Sequence, residues 1–128
     1  MSKKTDFWEQ IIHFKKSEFD CKCGCGFNKI DKDFVILLDF IRDEIKEPLI
    51  INSACRCISH NQNIGGSPTS SHLHGLAVDL KIENSNKRYK VLNLLLGMNF
   101  KRIGIYDDFI HIDINFDKSK PQNVIWYK

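Results

Sequence analysis

The sequence predicts an α+β fold in which a small, mostly antiparallel sheet has its helices packed on one side. Two observations favour this class: segments with the 3.6-residue helical period come mainly in the first half, and short alternating apolar segments come mainly in the second. A chain of 128 residues can bury one hydrophobic core but not two, so residues 1–128 are expected to form a single domain.

The first part of the chain is predicted to contain two helices separated by a loop. Asp6–Phe14 has the pattern of a short amphipathic helix, and residues 17–28 form a loop rich in cysteine and glycine. Asp31–Glu47 is the clearest helix, because its apolar residues follow the helical period and its first aspartate can cap the start. Pro48 stops this helix, and the apolar residues 49–51 that follow predict a short buried strand.

The second part predicts one further long helix and most of the sheet. Cys57–Ile64 favours a helical turn, and residues 65–70 form a loop by composition. A helix capped by Asn84 or Ser85 is expected to end at Gly97. Alternating apolar residues predict four strands, with Asp107 and Asp108 as a tight turn between the second and third: Ala77–Ile82, Ile103–Tyr106, Phe109–Ile114 and Val124–Tyr127.

Composition and charge exclude several classes of function. A hydrophobic content of 42% and a charged content of 27% are ordinary for a globular protein. The net charge of +3 is mild and its lysines are scattered, so no nucleic-acid partner is expected. No apolar run approaches the ~18 residues that a membrane span needs, and residues 1–14 lack the apolar core of a secretory signal. We therefore expect a cytoplasmic monomer as synthesised, with no membrane partner.

The most informative feature is a set of two histidines and a carboxylate. His72 and Asp79 stand seven residues apart around a glycine, and His111 arrives from a second apolar segment. If these segments are neighbouring strands, the three side chains can converge on one metal ion. Three such protein ligands with a fourth position open are typical of catalytic zinc sites, so the sequence predicts zinc at His72, Asp79 and His111.

Hydrolysis at such a site also needs a base that accepts a proton from the attacking water. Asp108 precedes His111 by three residues at the turn into its strand, so we assign it this role. Asp107 would fit an ordinary turn position equally well. Asp113 lies two residues after His111 and therefore on the same face of the strand. It can orient an imidazole, and the alternatives are a role as the base or a structural role.

Four further residues are candidates for substrate binding. Arg56 stands at the end of the largely apolar segment 49–54. Its planar guanidinium can pair with a substrate carboxylate or with a developing oxyanion. A surface salt bridge is the alternative role. Ser70 can hydrogen-bond a ligand or substrate, and His74 is placed in the pocket wall. His60 is a further candidate of the same rank as Ser70 and His74, and all three rank below Arg56.

The five cysteines form two groups, Cys21, Cys23 and Cys25 in the early loop and Cys55 and Cys57 further on. Their C-x-C spacing differs from the C-x-x-C spacing of common structural zinc sites. Neighbouring cysteines at this spacing seldom bridge each other, so a disulfide would join the two groups. A structural metal site, a disulfide and free thiols remain equal alternatives.

At residues 70–79 and at His111 the chain resembles the zinc D-alanyl-D-alanine carboxypeptidase family. This family includes vancomycin-resistance D,D-peptidases and phage L-alanyl-D-glutamate endolysins, and it shares a fold with the hedgehog signalling domain. The family pattern S-x-H-x-x-G-x-A-x-D stands here at residues 70–79, and the later histidine is His111. The segments 51–56, 60–66 and 104–113 resemble the flanking family motifs, and the resemblance extends from about Phe14 to Trp126.

The resemblance implies a zinc peptidase that cuts the peptidoglycan stem peptide, as a carboxypeptidase or as an endopeptidase of the endolysin type. It implies that His72, Asp79 and His111 hold zinc and that Arg56 helps to bind the substrate. Two departures stand out: Phe109 occupies a position where other members have a histidine, and Ala54-Cys55 replaces Gly-Tyr. An enzyme released by lysis or carried in a virion would reach the wall without a secretion signal, and a cytosolic dipeptidase acting on wall precursors is the third alternative. The alternative is a zinc-binding module without catalysis, as in the hedgehog relatives.

Overall fold

The computed structural model describes residues 6–114 and 120–128, and it confirms the predicted α+β architecture. Within these residues, no helix has the length and apolar character needed to cross a membrane. The helices are α1 (Lys32–Ile45), α2 (Ile58–Asn63) and α3 (Ser85–Gly97), and the strands are β1 (Ile51–Ser53), β2 (Ala77–Lys81), β3 (Arg102–Ile105), β4 (Phe109–Asp113) and β5 (Val124–Tyr127). Short 3-10 helices span Phe7–Gln10, Lys16–Phe19 and Ser71–His74.

The five strands form one sheet in the order β1-β2-β4-β3-β5. The pairings β1 with β2, β2 with β4 and β4 with β3 are antiparallel, and β5 runs parallel to β3 at one edge. The expectation of a mostly antiparallel sheet is therefore correct. β2 and β4 pair directly, although α3 and β3 lie between them in the sequence.

The two faces of the sheet have different roles. On one face, alternate strand residues are fully buried and pack with the apolar sides of α1 and α3; these strand residues are Val78, Leu80, Ile103, Ile110 and Ile112. The helices contribute buried residues at the 3.6-residue period, namely Phe34, Val35, Leu38, Ile41 and Ile45 from α1, with Val91 and Leu95 from α3. Because side chains alternate between faces, the polar residues of the same strands all point to the other face.

The helix boundaries follow their caps. The Asp31 carboxylate accepts a hydrogen bond from the Phe34 amide at 2.9 Å, as predicted, and Lys46 ends α1 in the left-handed conformation with a φ of 56°. Asn84 caps α3 in the same way through the Lys87 amide at 2.8 Å. Gly97, predicted as the cap at the end of α3, is its last helical residue, and Asn99 adopts the left-handed conformation beyond it.

The predicted helix at Asp6–Phe14 is wrong beyond Gln10. Only Phe7–Gln10 is helical, as a 3-10 turn, and Ile11 is extended. The amides of Ile12 and His13 donate to the Asp39 carboxylate of α1 at 3.0 and 2.8 Å. This carboxylate satisfies the two donors that a continued helix would have paired with its own carbonyls, so the chain leaves the helix and packs along α1.

The first strand begins later than the sequence pattern indicates. The prediction placed it at residues 49–51, whereas β1 starts at Ile51 and ends at Ser53. Ile51 pairs with Leu80 and Ser53 with Asp79, and a register irregularity lies between the two pairs. The polar residues at the end of this segment therefore join the sheet, because the β2 backbone pairs with them. Leu49 is buried in the core before the strand begins.

Candidate active site

A row of residues crosses the polar face of the sheet on all five strands. The strand register places Ser53 beside Asp79, Asp79 beside His111, His111 beside Gly104, and Gly104 beside Trp126. Directly opposed residues in an antiparallel pair have Cβ atoms about 4.5–5.5 Å apart. The pairing of β2 with β4 therefore brings Asp79 and His111 together, as expected for residues on neighbouring strands.

His72 reaches this row from the 3-10 helix Ser71–His74, not from a strand. Ser70 caps this helix, because its hydroxyl accepts a hydrogen bond from the His72 amide at 3.2 Å. Gly75 ends it with a φ of 68°, a conformation that side chains rarely adopt, and a Cβ here would also collide with the Lys29 carbonyl. The serine and the glycine thus fold the chain back so that His72, which is buried, faces Asp79.

Three potential metal-binding atoms converge at this point. The Oδ1 atom of Asp79 lies 3.3 Å from Nε2 of His72 and 2.9 Å from Nδ1 of His111. All three atoms lie within 4.8 Å of one another, and the two imidazole rings meet edge to face with centroids 5.2 Å apart. The structure therefore brings together all three residues that the sequence predicted as ligands.

The remaining ring nitrogens have partners of their own. Nδ1 of His72 lies 2.6 Å from the Ala54 carbonyl oxygen, to which it can only donate. Nε2 of His111 lies 2.8 Å from the Asp113 carboxylate. A proton on each of these nitrogens leaves Nε2 of His72 and Nδ1 of His111 with lone pairs directed toward Asp79. The donor set, two oriented imidazoles and one carboxylate, fits a zinc ion.

The ionisation of Asp79 and that of His111 depend on each other. Burial would raise the pKa of Asp79, but hydrogen bonds from His111 and His72 outweigh it and hold that pKa well below its usual value. Burial would lower the pKa of His111, but Asp113 and Asp79 together raise it above its usual value. Without a metal, His111 therefore tends to be protonated on both ring nitrogens, with one N–H directed at each carboxylate. A metal ion must displace the proton on Nδ1 to bind there.

Asp113 belongs to a second layer behind His111. Its other oxygen accepts a hydrogen bond from Nε of Arg102 at 2.8 Å, and its side chain is buried. Burial would raise the pKa of Asp113, but His111 and Arg102 lower it, so the carboxylate stays ionised. Because it contacts the ring nitrogen that faces away from Asp79, its geometry suits the orienting role and not the alternative role of base.

Trp126 covers the far side of His111. Its ring centroid lies 5.5 Å from that of His111, and the Arg102 guanidinium lies 5.1 Å from the indole. The indole N–H donates to the Tyr106 hydroxyl at 3.1 Å. A Cβ at Gly104 would lie 2.5 Å from the indole ring, so only glycine at this position allows the ring to cross the strand.

Arg56 lies beside the candidate ligands, with its guanidinium turned into the fold. It is buried, and it donates to Asn61 Oδ1 at 2.9 Å and to the Ser53 hydroxyl at 3.3 Å. Within the described residues, its buried Nε has no hydrogen-bond partner. Burial lowers the pKa of Arg56, which the carboxylate of Asp79 partly opposes. Arg56 and Asn61 also line a cleft of about 640 Å³.

The other sequence-predicted residues occupy different places. His74 is exposed and lines the same cleft, as expected for a pocket-wall residue. Ser70 caps the 3-10 helix that carries His72, and His60 lies on α2 outside the residues that line the cleft.

Asp108 lies apart from the three candidate ligands. It is exposed in the turn before β4, where its carbonyl accepts a hydrogen bond from the Ile82 amide at 2.9 Å. In residues 6–114 and 120–128, no hydrogen bond joins its carboxylate to His72, Asp79 or His111. It precedes His111 by three positions in the chain, with Phe109 and Ile110 between them, which is on the order of 10 Å along an extended strand.

Several site residues were not predicted from the sequence. Asn61 anchors Arg56, and its side chain packs so closely on Gly66 that a Cβ there would collide with it. Gly104 carried a usable signal, since a glycine inside a strand often marks close approach of another group. Trp126 carried none, because its contact with His111 depends on the parallel pairing of β5 with β3.

Comparison with known sequences agrees with this geometry. A search of curated proteins found no matching sequence. The sequence model of the Peptidase M15 family matches residues 12–113, a segment that contains all three metal-binding candidates and Arg56. The chain therefore belongs to the Peptidase M15 family, a family of zinc-dependent peptidases.

Proposed function

We propose that this protein is a zinc peptidase that hydrolyses a peptide bond in the stem peptide of peptidoglycan, as a carboxypeptidase or an endopeptidase. The observation that carries the proposal is the convergence of His72 Nε2, Asp79 Oδ1 and His111 Nδ1 within 4.8 Å. Three protein ligands are the number that catalytic zinc sites use, whereas structural sites use four. The resemblance to cell-wall peptidases supports the choice of substrate.

The residues around the ligands prepare them for a metal and for a peptide. The Ala54 carbonyl and the Asp113 carboxylate hold the two imidazoles in the required tautomers. Bound zinc would supply Lewis acidity, which lowers the pKa of a coordinated water toward ~7 and polarises a carbonyl group. Trp126 shields His111 on one side and so helps to exclude bulk water from the site.

Arg56 would bind a carboxylate of the substrate or the developing oxyanion. Its two terminal nitrogens are held by Asn61 and Ser53, which fixes the direction of the guanidinium. The cleft it lines also contains Lys29 and His74, so its polar lining is basic. A buried guanidinium would pair well with a free carboxylate of a peptide substrate that lies close to the scissile bond.

Asp108 is the proposed base. Asp79 is a proposed metal ligand, and both oxygens of Asp113 already accept hydrogen bonds, from Arg102 and His111. Asp108 would accept a proton from the attacking water and return it to the leaving amine. Because its carboxylate is exposed at a turn, it would reach the site through a change in its own rotamer and in the turn.

One observation favours a second candidate function, a zinc-binding module without catalysis. The Asp108 carboxylate makes no hydrogen bond to the ligand residues in the described part of the chain. If the turn kept this position with substrate bound, the site would hold zinc but lack a base.

Incubation of the zinc-loaded protein with purified stem peptides, analysed by mass spectrometry, tests the proposal. We expect one bond to be cut, and Asp108→Asn to abolish cleavage while zinc remains bound. Asp107→Asn is the matched control, since it changes the adjacent exposed aspartate, and it should cleave like the wild type. A zinc-loaded wild type that cuts no stem peptide would contradict the peptidase proposal and favour the binding module.

A further inference from the structure

A second group of potential metal ligands lies outside the site described above. The sulfur atoms of Cys21, Cys23, Cys25 and Cys57 all lie within 4.8 Å of one another. The Cys21 and Cys23 sulfurs are 3.5 Å apart, and those of Cys23 and Cys57 are 3.7 Å apart. All five cysteines of the chain are free thiols, and Cys55 stands outside this group.

Local backbone geometry brings the three early cysteines together. Gly24 and Gly26 both adopt left-handed conformations, with φ values of 83° and 84°. A Cβ at either position would meet nothing within 4 Å, so these glycines are needed for their conformation and not for space. They turn residues 21–27 back on themselves, and the Cys21 amide closes the turn on the Phe27 carbonyl at 2.9 Å.

Cys57 completes the group from a different part of the chain. It is the N-cap of α2, and its sulfur accepts a hydrogen bond from the His60 amide at 3.4 Å. The Cys57 amide in turn donates to the Cys21 sulfur at 3.4 Å, and the Phe27 amide donates to the Cys25 sulfur at the same distance. Three of the four sulfurs therefore accept backbone N–H groups, the contacts that stabilise thiolates around a metal.

The spacing of the sulfurs distinguishes between possible states. A Zn–S bond of about 2.3 Å places the sulfurs of a tetrahedral site about 3.8 Å apart. The measured separations of 3.5 and 3.7 Å are close to this value and well above the ~2.05 Å of a disulfide bond.

We propose that Cys21, Cys23, Cys25 and Cys57 bind a structural zinc ion. Four protein ligands close the coordination sphere, so this ion has no open position for a substrate. It would join the loop at residues 21–27 to the start of α2. Phe27 and Cys57 both line the cleft next to Arg56, so the ion would fix one wall of the substrate-binding surface. The proposal does not depend on peptidase activity.

Zinc stoichiometry of the reduced, zinc-loaded chain tests this proposal. We expect two zinc ions per chain in the wild type and one in both His72→Ala and Cys23→Ser. Cys23 is exposed, so serine there should leave the packing of the core unchanged. Cys55→Ser is the matched control, because it removes a cysteine outside the group, and it should retain two ions.

X-ray absorption at the zinc edge of His72→Ala gives a readout that does not depend on any cysteine variant. We expect a first shell made only of sulfur at about 2.3 Å. A wild type that binds one zinc ion and loses it in His72→Ala would overturn the proposal. A mass spectrum of the alkylated, chelator-treated protein that shows Cys57 joined to another cysteine in a disulfide would overturn it as well.

Discussion

The indole ring of Trp126 crosses the strand at Gly104 and contacts the ring of His111 on the far side, with centroids 5.5 Å apart. This contact connects the last strand of the sheet to a metal-binding candidate in its centre. Because a Cβ at Gly104 would lie 2.5 Å from the indole, the absence of a side chain at one position determines the packing at another.

Gly104→Ala should therefore displace Trp126 and weaken the support of His111. We expect lower stability, by about 1–3 kcal/mol as in other overpacked sites, together with weaker zinc binding. Urea unfolding and a zinc competition titration measure the two effects. Gly97→Ala is the control, because a Cβ at that position in α3 meets nothing within 4 Å, and it should be neutral or slightly stabilising. Equal behaviour of the two variants would contradict the proposed packing.

Asp113→Ala should reduce zinc affinity about 10–100-fold, the usual cost of removing the partner of a ligand histidine. The physical reason is that Nε2 of His111 loses the carboxylate that holds its proton and its orientation. Titration against a chromophoric chelator measures the change. Asp107→Ala removes an exposed carboxylate from the neighbouring turn and should leave the affinity unchanged. An unaltered affinity in Asp113→Ala would show that this carboxylate does not support the metal.

Arg56→Lys should keep zinc bound but lower kcat/KM by about 10²-fold or more. Lysine retains the charge but lacks the planar group that Asn61 and Ser53 hold in position. Steady-state cleavage of a stem peptide and metal analysis of the same sample separate the two effects. Loss of zinc together with activity would mean that Arg56 supports the fold of the site and not the substrate.

The metal-free protein should become less stable as pH rises above neutrality. Asp113 and Asp79 raise the pKa of His111 in the folded state, so its stabilising contribution is complete below its unfolded pKa of about 6.5 and is lost as pH rises through the folded value. The lowered pKa values of Asp79 and Asp113 act at the acid end, where their contribution is lost as pH falls below about 4.

Urea unfolding of chelator-treated protein across this pH range measures the effect. His111→Gln should remove the step on the alkaline side and leave the acid step largely in place. If the wild type and His111→Gln lose stability in parallel between pH 6 and 9, then titration of His111 is not the cause.

The elements with local signals could be predicted from the sequence, and so could the convergence of the three candidate ligands. Asp31 and Asn84 cap their helices as expected, and the spacing of His72 and Asp79 around Gly75 indicated a folded-back segment. These features depend on residues close together in the chain. The first helix ends at Gln10, earlier than predicted, because the distant Asp39 carboxylate binds the amides of the following residues. No local sequence pattern indicates this contact.

Long-range features of the site were likewise not visible in the sequence. The parallel pairing of β5 with β3 brings Trp126 to His111, and the Ala54 carbonyl orients His72 through the backbone, where residue type carries no information. The cysteine spacing left three alternatives open, because the position of Cys57 next to Cys21 depends on the tertiary fold.

We propose that His72, Asp79 and His111 hold one zinc ion through three particular atoms. Anomalous diffraction at the zinc edge, from crystals of the zinc-loaded protein, tests this assignment. The structure predicts a peak about 2.0–2.2 Å from Nε2 of His72, Oδ1 of Asp79 and Nδ1 of His111. The absence of a peak among these three atoms in zinc-loaded crystals would contradict the account, as would a peak bonded to Nε2 of His111.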